Sequence, residues 1–267
     1  MLPEPILQTF YGCGVSSALF FVFWLVALRY KNAALADVAW SLGFLLLTIF
    51  YAAINKSFQA PHLVLLLMVA LWSLRLGIYL LVRTIEHLDQ EDSRYKKLRE
   101  ESKLPESVYM LWIFFCQAIL QALVTLPFVL VFIESNPTMQ LNHYLALAVF
   151  VPALVLQSLA DHQLASFKAS ADREVSESRV CKRGLWSYSR HPNYFFEWLI
   201  WISFALFALS SPSGYWALLS PLIMLHMLLN VSGVKISEEV SLQSRGEAYK
   251  QYQKETPAFF PWFPRRS

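Results

Sequence analysis

Apolar residues fill long stretches of this chain, and polar residues collect in the gaps between them. Seven stretches approach the roughly 20 mostly apolar residues that a helix needs to cross a bilayer: 10–28, 33–53, 62–82, 107–133, 142–160, 193–209 and 215–234. The pattern predicts an all-α, polytopic membrane protein of about seven transmembrane helices. Pro127, Pro152 and Pro221 fall inside the stretches, where neighbouring helices can satisfy the freed carbonyls. No basic residue precedes the first stretch and Arg29-Tyr30-Lys31 follows it, so it reads as a retained anchor. We expect a single integral membrane domain over 1–267, without a separate soluble module.

Charge adds an orientation. With the N-terminus outside and the C-terminus cytoplasmic, 20 of the 22 Lys and Arg fall on the inner side, the exceptions being Lys56 and Arg75. Such asymmetry sets topology in multi-pass proteins. The long polar segments 83–106, 161–192 and 235–267 all lie on that inner side, so a large charged ligand is expected there.

Composition agrees with the class. The chain is 56% hydrophobic and 15% charged, with mean hydropathy +0.42, twenty Phe and nine Trp. A soluble domain carries about 25% charge. The net charge of +3 gives no reason to expect nucleic acid. Cys13, Cys116 and Cys181 share no ligand spacing and read as small buried side chains, so no metal site is expected. No glycine-rich dinucleotide fingerprint or phosphate loop occurs, so any nucleotide must be held by the membrane helices and their inner loops.

The densest chemistry is Ser189-Arg190-His191-Pro192-Asn193-Tyr194, at the threshold of an apolar run that contains Glu197. A carboxylate inside an apolar segment is costly and by default a functional candidate. Pro192 suits the first position of a helix, which puts Asn193 and Glu197 one turn apart on one face. Helix-start N–H groups beside Arg190 and His191 read as a grip for phosphate or carboxylate. Within the second and third stretches, Asp37 and Arg75 fall at similar depth, either as an ion pair or facing a polar cavity. Trp40 and Trp72 share their faces and either floor a flat pocket or face lipid. Gln117 with Gln121, and His226 with Asn230, have the spacing of interhelical hydrogen-bonding pairs. Aromatic and basic residues interleave around Glu91-Asp92-Ser93-Arg94-Tyr95, Asp161, Lys168, Gly184-Leu185-Trp186-Ser187-Tyr188, Glu238, Tyr249 and Tyr252. That mixture suits a ligand with phosphates, ribose and a flat ring.

Asp161…Phe167-Lys168, the run Gly184 to Glu197, and Tyr249…Tyr252…Pro257…Pro261 together resemble the steroid 5-alpha-reductase-like superfamily. Asp37-Val38-Ala39-Trp40, Trp72-Ser73-Leu74-Arg75-Leu76 and Glu91 to Tyr95 resemble its bacterial DUF1295 group. The superfamily also holds sterol reductases and isoprenylcysteine carboxyl methyltransferases. The resemblance implies an NADPH-dependent reductase of a carbon–carbon double bond in a steroid-like or other lipid that enters from the bilayer, in a bacterial inner membrane. It implies a substrate side in spans 10–133 and a cofactor half in 142–267. Asn193, Tyr194 and Glu197 would hold the nicotinamide and ribose end. Arg94, Lys168, Arg190 and His191 would hold phosphates. Asp161, Tyr249 and Tyr252 would shape the adenosine side, with Asp92, Tyr95, Trp186 and Glu238 completing the cofactor site. Asp37, Arg75, Glu197 and Tyr188 are the catalytic candidates. The steroid reductases use a glutamate and a tyrosine where this chain has Asp37 and Trp72, and an indole N–H cannot act as a tyrosine-like acid. Tyr79, Tyr95 or Tyr188 is then the source of the proton. Two alternatives remain open: an S-adenosylmethionine-dependent methyltransferase, and a lipid-binding protein without catalysis.

Overall fold

The computed structural model describes residues 3–86, 105–135, 137–169 and 180–264, and every regular element among them is helical. Helices α1 (Glu4–Tyr30), α2 (Leu35–Asn55) and α3 (Ala60–Glu86) are followed by α4 (Glu106–Val124) and the short α5 (Leu126–Phe132). Next come α6 (Leu141–Ala169), a single 3-10 turn (Gly184–Ser187) and α7 (Pro192–Ala208). A second 3-10 segment (Gly214–Leu218) leads through α8 (Leu219–His226) and a π-turn (Met227–Val231) into α9 (Val234–Glu255).

Among the described residues six helical runs are long and apolar enough to cross a membrane: Glu4–Tyr30, Leu35–Asn55, Ala60–Glu86, Ser107–Val124, Leu141–Ala169 and Gly214–Glu255. The protein is an integral membrane protein. The expected sixth span, 193–209, corresponds to α7, whose 17 residues are too few for that length. At about 1.5 Å per residue it reaches roughly 25 Å, short of the ~30 Å hydrocarbon core. The stretch 107–133 also differs from expectation, because it is two helices. Pro127 has no N–H and its ring crowds the carbonyl four residues back, so α4 ends at Val124 and α5 starts afresh.

The chain forms two compact units, Met1–Tyr144 with Phe204–Ser220, and Leu145–Ser203 with Pro221–Ser267. In the first, α1 packs on α2 and α4, and α2 runs along α3. Its centre is aromatic. Phe44 and Phe204 lie 5.2 and 5.7 Å from Trp72, and Phe128 lies 5.1 Å from Phe204. Trp72 is fully buried here, so it faces neither lipid nor an open pocket floor. Gln121 is the polar bridge between helices. Its Oε1 accepts from Ser16 Oγ at 2.7 Å and its Nε2 donates to the Trp40 carbonyl at 2.6 Å. Buried amides are expected to be spent this way in a bilayer. His226 and Asn230 behave otherwise, with Asn230 Nδ2 meeting His226 Nδ1 at 3.3 Å along one helical run.

In the second unit α6 and α7 lie antiparallel, as their cross-links below show. The run Gly214–Glu255 changes character at the π-turn. Beyond it α9 carries eight charged residues in 22, which places it outside the apolar span. Helix α9 also turns a corner at Gly246 (φ 52°, ψ −125°). An added Cβ there would meet nothing within 4 Å, so only the backbone conformation demands glycine. Gly246→Ala is therefore expected to cost about 1–3 kcal/mol through strain alone. The check is a lowered melting temperature in detergent, together with faster protease cleavage after the corner.

Candidate functional site

The corner at Gly246 has a chemical result. Along a straight helix Glu238 and Tyr249 would stand roughly 16 Å apart. Here the Tyr249 hydroxyl donates to Glu238 Oε1 at 2.9 Å. Glu238 is the hub of the second unit. Arg190 grips it with two parallel bonds, Nε to Oε1 at 2.7 Å and Nη2 to Oε2 at 2.9 Å. His191 Nε2 lies 2.9 Å from Oε1 and must carry the hydrogen, since a carboxylate only accepts. Gln253 Nε2 donates to Oε2. Five donors thus converge on two oxygens that offer about four lone-pair sites.

Burial pushes the Glu238 carboxyl up, but the donors from His191, Arg190 and Gln253, with the Arg190 charge, outweigh it and hold it well below the usual carboxylate range. Burial, then the Glu238 charge, push the Tyr249 phenol up, so it remains a donor. Arg190 Nη1 also donates to the carbonyls of Gln253 (3.1 Å) and Thr256. Four of the five guanidinium N–H groups are therefore given to this network. Arg190 and His191 were expected to grip phosphate, yet the residue they hold is an internal carboxylate.

The start of α7 is also occupied from within. The Ser189 hydroxyl accepts from the His191 N–H at 3.1 Å, and Asn193 Oδ1 accepts from the Tyr194 N–H at 3.0 Å. The His191 ring stacks on Tyr194 at 5.5 Å and 4°, and the Tyr194 hydroxyl reaches Ser237 Oγ at 3.3 Å. Fewer N–H groups remain for an anion than the bare helix start would offer.

A second constellation lies between α6 and α7. Asn193 Nδ2 donates to Asp161 Oδ1 at 3.2 Å. One turn along, Gln157 Nε2 donates to Glu197 Oε2 at 2.6 Å, and Trp201 Nε1 donates to Glu197 Oε1 at 3.0 Å. Each helix contributes residues at i and i+4, so the contacts form two rungs of a polar ladder. Glu197 is 7% exposed and Gln157 4%. Gln157 Oε1 is buried with no hydrogen-bond partner. Its orientation is fixed, because the other amide atom must face the Glu197 carboxylate as a donor.

The other expected residues fall as follows. Trp186 is buried, with Nε1 donating to the Ala160 carbonyl at 2.9 Å, and Tyr252 donates to the Trp186 carbonyl. These bonds fasten the 3-10 turn to α6 and α9. Gly184 (φ 56°) makes that turn, with an added Cβ only 2.3 Å from Gln163 Nε2. Lys168 is exposed near the end of α6. Tyr188 is 42% exposed, its ring edge-on to Phe263 at 6.0 Å. Asp37 and Arg75 are half-buried on α2 and α3 of the first unit, as is Trp40, and Tyr79 is exposed on α3. Asp92, Arg94 and Tyr95 lie outside the described residues, and no cluster of metal-ligating side chains occurs among the described ones.

Sequence reasoning missed Gln157, Trp201 and Gln253. Gln157 and Trp201 carry a visible signal, each being four residues from an expected polar partner on its own helix. Gln253 carries none, since it meets Glu238 only around the Gly246 corner.

An all-helical integral membrane protein with a buried polar ladder and a clamped C-terminal tail is the class these features define. The family described as Protein of unknown function (DUF1295) matches residues 23–256, and the chain belongs to that family, a steroid 5-alpha-reductase-like group. The chain is also similar to an uncharacterized protein, C594.04c, of Schizosaccharomyces pombe, with 26% identity over 265 residues that cover 90% of this chain and 76% of the yeast protein.

Proposed function

We propose that the protein is an NADPH-dependent membrane reductase that saturates a carbon–carbon double bond in a steroid-like or other lipid. The observation that carries this reading is the polar ladder on α6 and α7, with its one orphaned acceptor. Leaving a buried acceptor unpaired costs about 1–3 kcal/mol, so Gln157 Oε1 is suited to a ligand that brings an N–H donor. The carboxamide of nicotinamide is such a group. Neutral donors meet the two carboxylates of the ladder, Gln157 and Trp201 on Glu197 and Asn193 on Asp161.

NADPH supplies the hydride when bound. The chain's own part is to orient and to exclude water. Gln157 and Asn193 would fix the ring amide, and Glu197 would hold Gln157 and Trp201 in place. Lys168, exposed and basic, is assigned to phosphate together with Arg94. We assign Arg190 and His191 to closing the tail through Glu238. Family membership supports the reductase class, and the basic inner segments support cytoplasmic access to a phosphorylated cofactor. In this reading the N-terminus is outside and α7, short as it is, completes seven spans where the bilayer thins around it.

The test is titration of purified protein in detergent with NADPH and, separately, with S-adenosylmethionine. The reading expects thermal stabilisation and a nicotinamide fluorescence change with NADPH and neither with S-adenosylmethionine. Stabilisation by S-adenosylmethionine alone would move the protein to the methyltransferases. Lys168→Ala is expected to raise the NADPH dissociation constant while leaving turnover at saturation nearly unchanged, as for lost uniform binding. Its effect is expected to shrink at high salt, because an exposed charge is screened over ~8 Å at physiological ionic strength.

A further inference from the structure

The tail beyond α9 is a fixed strap with an aromatic outer face. The Arg190 N–H donates to the Pro257 carbonyl and the Trp262 N–H to the Tyr188 carbonyl, both at 2.9 Å. Ser189 Oγ donates to the Phe259 carbonyl at 2.9 Å. This pairing turns Phe259 inward, at 5% exposure, and leaves Phe260 57% exposed and Trp262 and Phe263 each 72%. Three large apolar side chains held outward on a pinned backbone mark an interaction surface.

The level of the strap identifies what covers it. The Phe260 ring lies 5.9 Å from those of Phe195 and Trp198, on the first two turns of α7. Helix α7 begins at Pro192, so this is the boundary between the polar segment before it and the apolar helix. Trp and Tyr gather at that depth in membrane proteins, where their rings meet the headgroups. Tyr188, 42% exposed against Phe263, extends the same face. In the sequence Arg265 and Arg266 follow directly, and such charges are attracted to an anionic leaflet.

We propose that residues 259–263 dock onto the anionic lipid surface of the bilayer that holds the protein. The strap is hydrogen-bonded to residues 188–190, so lipid seated on it also favours the closed Arg190–Glu238 clamp. This inference is independent of the reaction the protein catalyses.

The experiment uses the full chain in nanodiscs of mixed phosphatidylcholine and phosphatidylglycerol. Emission of Trp262 is isolated as the difference between the natural protein and Trp262→Phe. Lipids brominated close to the glycerol backbone should remove most of that difference signal, and aqueous iodide should leave it largely intact. Quenching by iodide but not by brominated lipid would place the strap in water and overturn the proposal. Protection from both quenchers would mean that protein, such as a second copy, covers it, and would overturn it equally. The anionic part has its own arm. Pure phosphatidylcholine, or the double change Arg265→Gln and Arg266→Gln, should weaken the lipid quenching, and no change in either would overturn the requirement for anionic headgroups.

Discussion

Glu238→Ala is expected to destabilise the protein by about 3–5 kcal/mol, because it leaves the Arg190 guanidinium, 10% exposed, without its carboxylate. It also strips partners from His191, Tyr249 and Gln253 at once. Glu238→Gln offers only a partial remedy, since its amide nitrogen would face other donors. Arg190→Lys is expected to fall close to the alanine variant of Glu238, because an ammonium cannot make the two-pronged grip and also reach the carbonyls of Gln253 and Thr256. The pH dependence follows from the depressed Glu238 carboxyl. Its stabilisation is fully present above the unfolded value of about 4.3. It is lost progressively as pH falls below that value toward the folded one in strong acid. Thermal melts from pH 8 down to 3 check this: the natural protein should lose stability only at the acid end, and Glu238→Ala should start low and lose less there.

Glu197→Gln is expected to separate binding from folding. In the unliganded protein an amide at position 197 can keep its oxygen toward Trp201 and turn its nitrogen toward Gln157, which flips to accept it. The fold is therefore expected to survive, helped by removal of a buried charge. The flip occupies Gln157 Oε1, the acceptor assigned to the ligand. NADPH affinity is then expected to fall by about 0.5–1.5 kcal/mol, the usual net worth of a hydrogen bond between neutral groups. Glu197→Ala lacks this repair and is expected to lose stability as well, with the Trp201 and Gln157 donors stranded. Equal NADPH affinity in folded Glu197→Gln and natural protein would make Glu197 a packing residue.

Much of this architecture was legible because it follows from local rules. Apolar length announces spans, and Pro192 at the first position of α7 followed from its missing N–H. Asn193 and Glu197 share a face because the helical period places them there, and Asp161 meets Asn193 as one more rung. What stayed hidden depends on contacts far apart in sequence. Arg190 beside a histidine and a helix start looks like an anion grip, and chemically it is one. Its anion is Glu238, 48 residues away and reached by a tail that turns at Gly246. Spacing cannot show that a guanidinium is already engaged. Trp72 was ambiguous for a related reason: one helix has several apolar sides, and only Phe44 and Phe204 reveal which is interior. The break at Thr125 was readable in Pro127, but a proline in a membrane span kinks some helices and ends others.

The reductase reading meets its most direct test in isotope transfer. Purified protein is incubated with a membrane-lipid extract and NADPH deuterated at the transferable position of the nicotinamide, and the lipids are analysed by mass spectrometry. The expected result is a lipid that has gained one deuterium from the cofactor and one hydrogen from the medium across a former double bond, with NADPH oxidised in equal amount. Glu197→Gln should lower this turnover at limiting NADPH. A methylated product formed with S-adenosylmethionine, or NADPH bound and left unoxidised with every lipid fraction, would contradict it.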